Sequence, residues 1–299
     1  MFCIAREGMR LRSVEIITTK SPYSGGESVE GLVIVRCSRD FKYNAIHLTF
    51  AGRERTEIVV SAGEYSTTYK DERVYFTTRQ RFGGEGVIPA GETRFPFAFT
   101  LPENILSSYS GKCGWVEYTL RAVVEISKAI DLKKQIAIRV KQPTKEATSQ
   151  SQTESVERDG RSILDAEIHD DCVCLGDPVI VRFRVSEDLK MRGIRVELRT
   201  EEDAIAKRQK STKTRTLVSL AIPQSELARD LWTELELKTN DSMPLSFEGQ
   251  IVSNRSSVKL TLDIPWARDK WIVMPVKLGY YAPLSERDTT TSDFQWRLK

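Results

Sequence analysis

His169, Asp170, Asp171, Cys172 and Cys174 place nitrogen, oxygen and sulfur donors within six residues of one another. Metal ligation is the chemistry such a cluster could do. Cys172 and Cys174 would share one face of a strand, because side chains at i and i+2 do. A structural zinc, however, takes four ligands, normally as two closely spaced pairs, and no second pair follows here. Cys37 and Cys113 would have to come from a distant part of the chain. Buried or half-buried thiols are therefore expected, with no metal. His47 lies in Ala45-Ile46-His47-Leu48-Thr49-Phe50, where Ile46, Leu48 and Phe50 share one strand face and His47 takes the other, as a sheet-surface histidine would. Phe82-Gly83-Gly84-Glu85-Gly86-Val87 lacks the lysine and the following helix of a phosphate loop, so it reads as a hairpin tip. The many Ser, Thr and Tyr residues have no general base beside a strained nucleophile turn. No catalytic residue, cofactor or small-molecule substrate is expected.

Two surface features remain. Lys207-Arg208-Gln209-Lys210-Ser211-Thr212-Lys213-Thr214-Arg215 holds five basic residues in nine and no acid. Exposed, Lys207, Arg208, Lys210, Lys213 and Arg215 would attract an anionic membrane surface or a phosphorylated or acidic peptide. The competing reading is a solvated hairpin partly neutralised by Glu201, Glu202 and Asp203. Nucleic acid is not expected, since the formal net charge is only +3 and no aromatic interrupts the basic run. Near the end of the sequence Phe294, Trp296 and Leu298 alternate after a polar spacer. Such an apolar face docks on a sheet edge, in cis or on a partner; cis docking is the favoured expectation.

The elements that must carry these residues are strands. Phe95, Phe97 and Phe99 alternate in Gly91–Pro102 and should share an aromatic core, while Pro96 removes a ladder donor and marks an edge or bulge. Val116, Tyr118, Leu120, Ala122, Val124 and Ile126 alternate against Glu117, Thr119, Arg121 and Glu125, the pattern of a half-buried antiparallel strand. Val179, Val181, Phe183 and Val185 repeat it, as do Ile194–Arg199, Val258–Leu262 and Ile272–Leu278. Helix is scarce: Glu201–Gln209 could form a few turns, and Gln224–Leu231 a short turn or helix.

The polar stretch Gln142–Gly160 has almost nothing to bury, so it is expected as a linker. The halves on either side echo each other in Gly26-Glu27-x-Val29 and Gly176-Asp177-x-Val179, each a glycine and a carboxylate before a strand. The expected fold is all-β: two tandem antiparallel β-sandwiches, at 1–141 and 161–285, with the linker at 142–160 and a tail at 286–299. No apolar run approaches the roughly 20 residues that span a bilayer. Five cysteines, an odd number, suit free thiols in a reducing cytoplasm. A cytoplasmic protein is expected, with any membrane contact peripheral.

Taken together, Tyr23-x-x-Gly26-Glu27-x-Val29-x-Gly31, Gly91-x-x-x-Phe95-Pro96-Phe97-x-Phe99-x-Leu101-Pro102, Ser110-Gly111 before Val116–Ala122, and Leu175-Gly176-Asp177-Pro178-Val179 resemble the arrestin-like superfamily. That group includes the receptor arrestins, the arrestin-domain (α-arrestin) proteins and the arrestin-fold subunit of retromer. The likeness runs from about Leu11 to Pro283, is more specific in the first half, and suggests a minimal two-domain form. It implies paired sandwiches of immunoglobulin-like architecture and a non-catalytic adaptor or scaffold, linking membrane-protein cytoplasmic segments to trafficking or signalling machinery. A structural subunit of a retromer-like sorting coat is the alternative. The Pro-Pro-x-Tyr motifs of α-arrestins are absent from this sequence. By the same resemblance, Arg139 matches a basic residue of a buried polar core, with Asp293 as its partner. The alternation of its own strand instead places Arg139 outward.

Overall fold

The computed structural model describes residues 12–63, 65–143, 149–186 and 189–280. Its first lobe is built from β1 (Arg12–Thr18), β2 (Ser28–Cys37), β3 (Phe41–Ala62), β4 (Tyr65–Gly83), β5 (Gly86–Ile88), β6 (Gly91–Thr100), β7 (Tyr109–Ser110), β8 (Gly114–Ile126) and β9 (Leu132–Ile138). A three-stranded sheet, β1-β2-β6, packs on a sheet ordered β4-β3-β8-β7, with β5 also paired to β3 and β9 to β8. The second lobe contains β10 (Gln152–Arg158), β11 (Arg161–Ile168), β12 (Cys172–Cys174), β13 (Val179–Val185), β14 (Gly193–Ala206), β15 (Gln209–Pro223), β16 (Thr233–Leu237), β17 (Phe247–Glu248), β18 (Val252–Asp263) and β19 (Lys270–Gly279). There the sheet β10-β11-β13-β16 covers the sheet β12-β19-β18-β14-β15, which also carries β17 on β18. The protein is all-β, with antiparallel sheets organised as separate sandwich-like lobes; β12 joins β19 in parallel.

Alternation decides which faces meet. In the first lobe Val29 and Val33 of β2 and Phe97 and Phe99 of β6 close over Leu48 and Phe50 of β3 and Val116, Tyr118 and Leu120 of β8. The Phe97 and Phe99 rings lie 5.9 Å apart and tilted, Phe99 reaches Phe50 at 5.6 Å, and half-buried Phe95 meets Phe82 at 5.4 Å. Pro96 sits on the edge strand β6, where a missing N–H leaves no ladder bond unmade. In the second lobe Val179, Val181, Phe183 and Val185 pack against Val196, Leu198, Val258 and Leu260.

Two expectations about local structure change. Glu201–Gln209 is not helical: β14 continues to Ala206 and turns at Lys207-Arg208 into β15, because both neighbours, β15 and β18, supply ladder partners along its length. Gln224–Glu226 is a single 3-10 turn, in keeping with the short turn or helix expected there. The polar stretch expected as linker carries β10, which pairs with β11 from Gln152↔Ile168 to Arg158↔Arg161. Asp159 and Gly160, both at positive φ, make the tight turn between them. As an edge strand β10 buries almost nothing, and only Val156 packs on the core, so its sequence lacks an apolar face.

Candidate functional site

In β3 the inward phase runs Leu48, Phe50, Gly52, and then continues through Glu54 and Thr56 to Ile58. In β14 it runs Ile194, Val196, Leu198, and then Thr200, Glu202 and Ala204. Each strand therefore carries a carboxylate on the buried face at the end where the lobes meet. Glu54 is 0% exposed and Glu202 is 4% exposed. Buried carboxylates must be matched by donors, and each of these finds its backbone donors on the opposite lobe. Glu54 accepts the backbone N–H of Gln250 (2.8 Å), Ile251 (2.7 Å) and Val252 (3.1 Å). Glu202 accepts the N–H of Lys112 (2.9 Å) and Cys113 (2.7 Å) and the hydroxyl of Tyr109 (2.7 Å). Tyr75 of the first lobe donates its hydroxyl to Glu54.

The receiving turns are shaped for this exchange. A Cβ on Gly111 would collide with the Glu202 carboxylate, and one on Gly249 would press on Glu54 Oε1. Thr56 Oγ1 donates to the Ile205 carbonyl at 2.7 Å, and Tyr109 meets Phe247 edge-on at 4.8 Å. Ile58, Cys113, Ala204 and Ala206 form a small apolar cluster beside them. Burial, followed by the accepting carboxylate, pushes the Tyr75 and Tyr109 hydroxyls far above their usual range, so both stay protonated donors.

The basic run occupies the β14–β15 hairpin, and all five cations are exposed. Strand geometry divides them. Lys207, at φ 53°, and Arg208 form the turn. Lys210 reaches Asp203 at 3.2 Å, where Arg255 also pairs. Lys213 and Arg215 line a cavity between the lobes. Of the three acids expected to neutralise the run, Asp203 does so, whereas Glu202 is engaged by first-lobe backbone.

Arg139 follows β9 and is exposed, while Ile138 and Val140 beside it are buried. Its side chain thus lies outside any buried polar core, and the buried charges at the junction are Glu54 and Glu202. Asp293, Phe294, Trp296 and Leu298 lie outside the described residues. His47 takes the face opposite Leu48 but is buried rather than exposed, its Nδ1 3.5 Å from Glu125. Burial and then Arg79 push its pKa down. His169 lies 3.6 Å from Glu167. Among the described residues no group of three or more His, Cys, Asp or Glu is placed to hold a metal, Cys37 and Cys113 are buried free thiols, and no helix is long and apolar enough to cross a membrane.

Residues 13–146 match the family "Arrestin (or S-antigen), N-terminal domain". Over 116 residues the chain is 29% identical to arrestin domain-containing protein 17 of Caenorhabditis elegans, covering 34% of this chain and 27% of that protein. Identity to human arrestin domain-containing protein 1 is 33% over 102 residues, or 34% of this chain and 23% of the relative. Human arrestin domain-containing protein 4 is 31% identical over 144 residues, or 43% of this chain and 34% of the relative. The first half of the chain is thus similar to the arrestin N-terminal domain and to these arrestin domain-containing proteins, at low to moderate identity. The chain spans about a quarter to a third of the length of these curated relatives.

Proposed function

We propose that this protein is a non-catalytic adaptor or scaffold that binds other proteins through its sheet faces, edges and exposed loops. The observation that supports this most is the reciprocal exchange of Glu54 and Glu202 between the lobes. The two buried carboxylates are matched by backbone N–H groups and tyrosine hydroxyls, which makes a framework for presenting surface. The homology to arrestin domain-containing proteins points the same way. On this reading the two lobes are the units 12–141 and 152–280, joined by the polar segment between them. The protein works in the cytoplasm, engaging cytoplasmic segments of membrane proteins for trafficking or signalling, with the basic hairpin Lys207–Arg215 meeting an anionic surface.

Replacing Lys207, Arg208, Lys210, Lys213 and Arg215 together by glutamine should abolish binding to phosphatidylserine vesicles and leave thermal stability nearly unchanged. Raising salt from about 0.05 M to about 0.5 M should weaken the parent's binding markedly. Quantitative capture from the native cell then decides the role. Several sub-stoichiometric membrane proteins would fit an adaptor, and one stoichiometric partner a coat subunit. Vesicle binding unchanged in the variant would remove the hairpin from the account.

A further inference from the structure

The cavity between the lobes holds about 290 Å³. Its first-lobe wall is β7 and the turn after it, with Tyr109, Ser110 and Lys112, and its second-lobe wall includes Thr200, Lys213 and Arg215. Among the described residues, three cations, Lys112, Lys213 and Arg215, therefore line the cavity with one carboxylate, Glu202. That carboxylate is already committed: Oε1 accepts from Cys113, and Oε2 accepts from Lys112 N–H and Tyr109 Oη. None of Lys112, Lys213 and Arg215 forms an ion pair among the described residues, although Lys210 on the same hairpin is matched by Asp203. The field of Arg215 is felt at Tyr109, across the lobe boundary.

We propose that this cavity binds a small anion bearing a terminal phosphoryl group. An excess of cations over carboxylate suits a doubly charged group, and the Arg215 fork fits the paired oxygens of a phosphoryl. Lys112 and Lys213 supply point charges from opposite lobes. The volume lies at the low end for small-molecule sites, which admits one phosphorylated headgroup or metabolite. The Tyr109 ring is engaged with Phe247, so base stacking is not offered. Because the cations come from both lobes, the ligand would tie the lobes together beyond the Glu54 and Glu202 contacts. The inference deepens the reading of the basic hairpin as an anion-binding surface. It differs in requiring Lys112, which is not on that hairpin, and in not requiring Lys207 or Arg208.

The test is calorimetric titration of the full chain with pyrophosphate and, separately, with a soluble phosphoinositol headgroup, at constant ionic strength. Saturable one-to-one binding and a raised Tm are expected. Lys112→Gln, Lys213→Gln and Arg215→Gln should each weaken it by about tenfold or more. Lys207→Gln and Arg208→Gln should leave it unchanged. Arg215→Lys keeps the charge and loses the fork, so it should weaken binding less than Arg215→Gln. Acylation footprinting needs no variant: pyrophosphate should protect Lys112 and Lys213 but not Lys207. The same headgroup presented in vesicles separates the sources, since affinity matching the soluble form indicates a free ligand and a large gain a lipid. No saturable binding, or full affinity in Lys112→Gln with no protection of Lys112, would overturn the proposal. Loss of vesicle binding in the five-residue variant would still support the hairpin reading in that case.

Discussion

A carboxylate withdrawn from water is costly unless the groups around it replace its hydration. For Glu54 the replacement is three peptide N–H groups and the Tyr75 phenol; for Glu202 it is two peptide N–H groups and the Tyr109 phenol. Truncating Glu54 to alanine leaves those donors facing a void and should cost about 3–5 kcal/mol in urea unfolding. Glu54→Gln keeps the volume but turns an N–H2 toward donors, so it should lose nearly as much. A loss below about 1 kcal/mol in either variant would show that water replaces the carboxylate. Asp203 behaves differently. The hydrogen bond from Thr212 and the nearby Lys210 and Arg255 hold its carboxyl below the usual range, against the opposing effect of burial. The unfolded chain then takes up a proton at higher pH than the folded one. The stabilisation is complete above the ordinary carboxylate value and disappears as pH falls through the lower folded value. Between about pH 6 and about pH 2.5, Asp203→Asn should show a shallower fall in Tm than the parent. Parallel curves would remove Asp203 from the acid limb.

At the scale of elements, the strands that pair an apolar face with a polar one were legible: β6, β8, β13 and β18 stand where the alternation of Phe97, Tyr118, Phe183 and Leu260 puts them. Phe97 is 4% exposed, and Phe97→Ala should destabilise the first lobe by about 3–5 kcal/mol. A measured loss below about 1 kcal/mol would mean the pocket collapses around the smaller side chain. β10 was not legible because an edge strand satisfies its backbone without burying a face; its one readable sign was the Asp159-Gly160 turn. Glu201–Gln209 misled for another reason. Glu202 continues the inward phase of β14, but a carboxylate in that phase argues against burial until its partner is known. Glu54 hid in β3 in the same way. Gly111 and Gly249 test this pairing of strand and turn. Gly111→Ala should push Glu202 off the Lys112–Cys113 turn, and Gly249→Ala should act likewise on Glu54. Each should destabilise the protein more than Gly63→Ala, although Gly63 has positive φ, because open space surrounds Gly63. Equal losses at all three positions would show that backbone freedom, and not the carboxylate, fixes these glycines.

At the scale of the molecule, the junction is made of partners far apart in sequence, such as Glu54 with Ile251 and Thr56 with Ile205. No local pattern couples such positions, which is why two lobes could be read from the sequence but not what holds them together. The geometry makes a definite claim about cooperativity. If each lobe buries a charge whose backbone donors only the other supplies, neither should unfold alone at its full stability. Calorimetry on the parent should then give one transition whose calorimetric and van't Hoff enthalpies agree. The double variant Glu54→Ala, Glu202→Ala should split it into two, each at the temperature of the corresponding lobe made separately as 12–143 or 149–280. Those separate lobes should melt below the parent, since each loses the contacts that the other lobe supplies at the junction. The single variants should fall between, with losses that do not add, because removing either carboxylate loosens the interface that seats the other. Two transitions in the parent, at the temperatures of the isolated lobes, would show that the exchanged carboxylates are accommodated at the junction without coupling the lobes.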